Sequence, residues 1–354
     1  MRIGVASGDF LSAQKSSDGG HHWGGSGWAR FGQYIGRIDY EVVVGVLTWK
    51  TDHFFIRDEH DNLVDVDWVF MQRLMHESLP EHMLKARQYG QIIVNDLDDW
   101  YWGLDPSNDA FLSSHPKSNP KENRNHYKAV LASSTAVTVS TPYLADRIKS
   151  WVRCPIVVLE NTVEVNRFTP HIHTDSSVPV VGWVGATSHR SGDLEILKGV
   201  VNPLIVSGAI KFQHSGHYAH ANTVASKLGL HDDQVSVLPA VDAVQYPSLL
   251  NMDVGVAPLR DTPFNHAKSD IKLLEYSASG IPWIASSLSA YEGLRKKWGI
   301  GRTASKPQQW LKHLADLRDP ARRAYEGEAL REAVWARDIE LGTHRLNSFI
   351  ESVL

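Results

Sequence analysis

The stretch FNHAKSDIKLLEYSASGIPWIAS, residues 264–286, reads as loop, helix, stop and strand. Ser269 and Asp270 suit a helix start, because short polar side chains can accept from the first free backbone N–H groups. Gly280 suits the left-handed position that ends a helix, Pro282 prevents continuation, and Ile284 opens a strand. At about 100° per residue, Lys268, Lys272 and Glu275 fall within about 60° of one another and share a face. Ile271, Leu274 and Ala278 lie opposite, so that side buries against a sheet and the charged side looks outward or into a cleft.

Outward from this segment the same alternation recurs. Short β-branched runs at Arg2–Ala6, Glu41–Leu47, Gln91–Asn95, Ala136–Ser140 and Ile156–Leu159 are separated by helical patterns, the signature of a parallel α/β sheet. The pattern restarts at Val178–Gly185 and continues through Ile210–His214, Gln234–Leu238, Met252–Ala257 and Ile281–Ser286. Between the two series lies a polar stretch, residues 171–179, without periodicity and closed by Pro179. The expected fold class is therefore α/β, with two doubly wound Rossmann-like domains facing a central cleft. Residues 1–174 form the first, 175–320 the second, and 321–354 are helices that pack back on the first. Ligands of such sheets bind at the carboxyl ends of the strands, so the cleft is the expected site.

The length of 354 residues suits two compact domains, and 42% hydrophobic with 21% charged residues excludes a disordered or fibrous chain. The single cysteine, Cys154, excludes an internal disulfide framework and a cysteine-rich zinc site. With no signal-peptide core after MRIGVASGD and no run of about 18 apolar residues, the expectation is a cytoplasmic protein without membrane insertion. That means the host cytoplasm if the chain is phage-encoded. A net charge of -4 gives no global attraction for nucleic acid, so DNA is not a favoured partner. The 12 tryptophans serve mainly the core, although aromatic faces also suit sugars and stacked bases.

Two ammonium groups beside a helix N-terminus repel each other until an anion arrives, so Lys268 and Lys272 point to a diphosphate. Glu275, one turn deeper, can accept from both hydroxyls of a ribose. The plainer alternative is a solvated Lys272–Glu275 pair at i,i+3. The strand ending at Gly185 enters a small polar turn that exposes N–H groups to a phosphate, with Arg190 nearby as a cation. Gly19, Gly20, Gly24, Gly25 and Gly27 precede a helix expected near Trp28, either as a flexible loop or as a loop closing on the cleft. Asp98 and Asp99 end a strand in DLDDWYWG and are either cleft residues or helix caps. Histidines 214, 217 and 220 recur every third residue, but a strand ending at Ser215-Gly216 would scatter them, leaving His217 as a donor contact rather than a zinc ligand.

The segment from Lys268 to Pro282 resembles the donor-binding signature of retaining GT-B glycosyltransferases, the sucrose- and glycogen-synthase-like group with its phage and bacterial relatives. In that signature a lysine precedes Glu-(Tyr or Ala)-x-Ala-x-Gly-x-Pro. Ala267 stands where many members carry an earlier glutamate. Asn161, Glu164, Phe168 and Pro170 resemble the group's interdomain motif, and Tyr246 and Asp253 fall in characteristic places. The resemblance implies an acceptor domain followed by a nucleotide-sugar domain, and transfer from a nucleoside-diphosphate sugar with retention. It implies no metal and no cofactor beyond the co-substrate. It assigns catalytic roles to Lys268, Lys272, Asp98 and Asp99, donor contacts to Gly185, Arg190, Glu275 and His217, and a loop near the transferred sugar to Gly19 and Gly20. The acceptor hydroxyl is left open among a modified DNA base, a protein and a glycan. A nucleotide-sugar epimerase and a non-catalytic nucleotide-sugar-binding protein are the alternatives.

Overall fold

The computed structural model describes residues 1–50, 52–108, 110–114, 122–187, 192–219 and 221–353. Six parallel strands form the first sheet: β1 (Arg2–Ser7), β2 (Glu41–Val44), β3 (Trp68–Gln72), β4 (Ile92–Leu97), β5 (Ala136–Val139) and β6 (Ile156–Val158). Their order is β2-β1-β3-β4-β5-β6. The second sheet holds β7 (Val180–Val184), β8 (Lys211–His217), β9 (Val235–Pro239), β10 (Val254–Ala257), β11 (Trp283–Ser286) and β12 (Arg302–Ala304). Its order is β9-β8-β7-β10-β11-β12, again all parallel. The strand order reverses between β1 and β3 in one sheet and between β7 and β10 in the other. Those crevices are where doubly wound folds bind ligands.

Every residue of β3, β5, β10 and β11 is buried, as strands covered on both faces require. One face of the first sheet packs Ile3, Val5, Trp68 and Phe70 against Ile339, Leu346, Phe349 and Ile350 of the last helix, Ile339–Val353. The chain thus returns from the second sheet to the first. A parallel bridge between Val163 and Asp338 marks the crossing.

The single run expected over Glu41–Leu47 is two strands. The break falls at Gly45, where an added Cβ would lie 2.1 Å from the Arg57 carbonyl oxygen. Beyond it, Val46–Lys50 pairs antiparallel with His53–Arg57, which pairs with Leu63–Asp65, in a small peripheral sheet. β8 also runs further than expected, to His217, through an irregularity at Gly216, whose φ is +96°.

The helix in the opening segment is Ile271–Ala278, with Leu273, Leu274, Tyr276, Ser277 and Ala278 buried. Full burial of one such leucine contributes roughly 1.5–3 kcal/mol. Ile271, expected on the buried side, instead faces the cleft. Gly280, at φ +65°, ends the helix: its N–H donates to Ser277 O and that of Ile281 to Tyr276 O, both at 2.9 Å. This pair of bonds satisfies two carbonyls that the helix end would otherwise leave open. Among the described residues no helix is long and apolar enough to cross a membrane.

Candidate functional site

Between the carboxyl ends of the two sheets lies a cleft of about 440 Å³. The β7 strand reaches it at Gly185, whose φ of +138° only glycine adopts readily. Gly216 packs so closely on this turn that a Cβ there would sit 3.3 Å from Gly185 N. His214 holds the turn from behind, its Nε2–H donating to the Gly185 carbonyl at 2.9 Å. Burial pushes the His214 imidazolium down to about 4, against the opposing hydrogen bond to Gly185, and nearby His217 and Lys272 add to the depression. The unfolded chain therefore binds a proton that the folded chain refuses, so this histidine costs stability as pH falls from about 6.5 to about 4. The cost approaches about 3 kcal/mol. Urea melts of the wild type and His214→Gln between those pH values should show the variant losing less stability on acidification. Parallel pH curves would reject the assignment.

The charged groups of the opening segment converge on this turn. Lys272 Nζ donates to the Val184 carbonyl and lies 5.5 Å from the Trp183 ring centroid. Glu275 accepts from the Tyr246 hydroxyl at 2.7 Å. Burial raises the Glu275 carboxyl above its ordinary value, although Lys272, Tyr246 and Arg167 oppose the shift. Lys268, expected on the same helix face, is not on the helix. It lies in the turn after the short helix Pro263–His266, its N–H donating to Asn265 O at 3.2 Å. The helix starts where expected, at Ile271 directly after Asp270, although the Asp270 carboxylate pairs with Arg337 at 3.0 Å instead of capping the free N–H groups; Lys268 therefore falls ahead of it. Lys268 still reaches the cleft, where Nζ meets Asp99 Oδ1 at 2.9 Å and lies 4.2 Å from the Phe264 ring centroid.

Asp98 and Asp99 both line the cleft and cap no helix. Their organiser is Arg73, which follows β3 with a φ of +58°. It bonds Asp98 through Nε at 3.2 Å and through Nη2, and lies 3.5 Å from Asp9 and 3.6 Å from Asp99. Burial works against the Asp98 carboxylate, but the Arg73 charge and hydrogen bonds outweigh it and hold the group below its usual range. Arg30 is a second residue that the pattern of the sequence did not reveal. Buried at the cleft floor, it pairs with Asp96 at 2.7 Å and reaches Asn161 Oδ1 at 2.7 Å.

The glycine-rich segment folds as an antiparallel pair, Phe10–Lys15 with His21–Trp23, then the helix Gly25–Arg30, which starts three residues before Trp28. Gly24, Gly25, Trp23 and Trp28 line the cleft. A Cβ at Gly24 would come within 2.3 Å of Asp9 Oδ1, so a larger residue there would have to displace the Asp9 side chain. Gly19 and Gly20 occupy the hairpin turn and are not among the lining residues. Nearby, Ser17 N donates across to Asp242 Oδ2 at 2.6 Å. His217 is likewise absent from the lining; its ring stands 5.6 Å from that of His214. Arg190 and the third histidine, His220, lie outside the described residues.

Two doubly wound sheets whose switch points face one another across a cleft, with a C-terminal helix crossing back, define the GT-B fold. No protein-family profile matches the chain, and no curated protein does. Solved structures do. Sucrose-phosphate synthase from Thermosynechococcus elongatus aligns with a TM-score of 0.67 at 15% identity, over 99% of this chain and 98% of that one. HepE from Anabaena, solved with UDP and glucose, aligns at 0.64 and 12% identity, over 99% of this chain and 100% of the other. A glycosyltransferase from Rickettsia africae ESF-5 aligns at 0.60 and 11%, over 99% and 98%. At such identities the likeness is one of fold.

Proposed function

We propose that the chain transfers a sugar from a nucleoside diphosphate to an acceptor hydroxyl, with retention at the anomeric carbon and without a catalytic metal. The observation that carries this reading is the convergence of Lys268, Lys272, Glu275 and the Gly185 turn on one cleft at the strand ends. As the anomeric C–O bond to the diphosphate breaks, negative charge collects on the leaving phosphate oxygens. Fixed ammonium groups and exposed N–H groups are what stabilises that charge. The acceptor oxygen forms the new bond from the same face, and its proton passes to the leaving phosphate. Glu275, fixed by Tyr246, accepts from the ribose hydroxyls. Asp99 is released toward the sugar when Lys268 turns to the diphosphate. Trp23 and Trp28 form the acceptor side.

The Anabaena HepE complexes with UDP and glucose, and with UDP-glucose, make UDP-hexoses the first donors to try. A thermal-shift screen of nucleotide-sugars, then mass spectrometry of candidate acceptors with the best donor, tests the reading. Stabilisation by no nucleotide-sugar would reject it, and steep stimulation by Mg²⁺ or Mn²⁺ would reject its metal-free part. Conversion of the donor alone, followed by NMR, would point to an epimerase instead.

Glu275 gives a pH signature. Because its carboxyl is raised, it takes up a proton at a higher pH than an ordinary glutamate and then loses charge-assisted acceptance from the ribose. Donor affinity should fall as pH drops through that raised value. Glu275→Gln should lose about tenfold in affinity at neutral pH and show a flatter profile. Calorimetry with UDP across pH checks both, and an unchanged affinity would remove Glu275 from the site.

A further inference from the structure

The polar stretch after the first sheet carries a second cluster that the proposed reaction does not use. His171 Nε2 lies 3.2 Å from Asp253 Oδ1, just ahead of β10, and His173 Nδ1 lies 3.9 Å from the same oxygen. One ligand atom from each of the three residues falls within a mutual distance of 4.8 Å. None of them lines the cleft.

The orientation of His173 is the telling feature. Its Nε2–H donates to the Gly280 carbonyl at 2.9 Å, so in the neutral ring Nδ1 carries the lone pair. That side chain is only 7% exposed, and Nδ1 has no hydrogen-bond partner. Asp253 is arranged alike: Oδ2 accepts from Val180 N at 2.8 Å, leaving Oδ1 directed at both histidines. A ring nitrogen fixed by donating its other N–H to a carbonyl is the usual support behind a metal-binding imidazole.

We propose that His171, His173 and Asp253 bind a divalent transition-metal cation, zinc foremost, which pins the interdomain segment to the second sheet. Zinc bonds of about 2.0–2.1 Å place tetrahedral ligands about 3.3 Å apart, so the His171–Asp253 spacing already fits and the His173 ring must close inward. Water fills the fourth position. Two imidazoles favour zinc over the oxygen-seeking Mg²⁺ and Ca²⁺. Arg323 stands beside the site. Its Nε lies 3.9 Å from Asp253 Oδ1, while its terminal nitrogens are held by the carbonyls of Leu317, Arg318, Thr174 and Ser176. A fixed positive charge so close weakens the binding of any dication, so the two imidazoles must supply most of the affinity.

The test is titration of the chelator-stripped full-length chain with zinc chloride in a calorimeter, with melting temperature and the visible spectrum of a cobalt-loaded sample as second readouts. One equivalent of zinc, a higher melting temperature and the absorption of tetrahedral cobalt are expected. His173→Ala and His171→Ala should each lower zinc affinity by at least about 100-fold. Failure of the wild type to bind an equivalent, or undiminished binding in both variants, would overturn the site. Should a variant not fold, the cobalt spectrum of the wild type still decides: without tetrahedral bands the proposal fails.

Discussion

Lys272→Ala is expected to reduce turnover by about 10²–10³-fold while the chain keeps its fold. Its Nζ sits beside the Gly185 turn, donating to the Val184 carbonyl, at the point where β7 meets the cleft. In the ground state that ammonium bonds a carbonyl, and Glu275, whose charge it supports, keeps Tyr246 and Arg167 beside it when Lys272 is removed. In the proposed reaction it is a fixed charge beside a diphosphate at the Gly185 turn, where the charge develops. The effect should therefore fall on kcat more than on KM, as it does when an interaction is made mainly as charge develops. Lys272→Met, which keeps the stem over Trp183, separates charge from packing. It should be as inactive as the alanine variant and melt closer to the wild type. Near-normal turnover in either variant would remove Lys272 from the chemistry.

Much of this site was legible because periodicity and turn chemistry are local. Gly280 stops the helix as its neighbours foretold, and Gly185 marks the end of a strand buried on both faces. Lys272 and Glu275 reach the cleft from that helix, and Asp98 and Asp99 from the end of β4. Lys268 arrives by another route, from the turn ahead of the helix, and the Asp270 side chain at the helix start is held by Arg337, a contact spanning 67 positions. Arg73 and Arg30 were invisible for the same reason. Their partners come from other strands, and nothing near either residue announces them. β3 was also missed, though it is central: Trp68–Gln72 buries both faces and so has no alternation to read, and it follows the polar run Asp65-Val-Asp67. The break at Gly45 depends on the Arg57 backbone twelve residues away.

The second large effect concerns the clamp at the start of the Lys272 helix. Arg337, with a side chain 2% exposed, forms two parallel bonds of 3.0 Å to Asp270 and donates from Nε to the Asn161 carbonyl at 2.9 Å. Asn161 in turn donates to Ser269 Oγ at 2.9 Å. One guanidinium thus ties the interdomain segment, the start of the Lys272 helix and the returning C-terminal chain. Arg337→Met removes the cation but leaves the Asp270 carboxylate buried, and should cost about 3–5 kcal/mol. Much of that is the penalty of the stranded charge rather than the worth of the pair. The double variant Arg337→Met/Asp270→Leu should therefore recover much of the loss, because it removes the stranded carboxylate and leaves only the Asn161 carbonyl short of its donor. Urea midpoints of the wild type, both single variants and the double close the cycle. A single variant losing under about 1 kcal/mol would show that water reaches Asp270 and that the pair is not the clamp. A double variant as unstable as Arg337→Met would instead assign the loss to the Asn161 carbonyl, making the bond to the interdomain segment the one that holds the cleft's two walls in register.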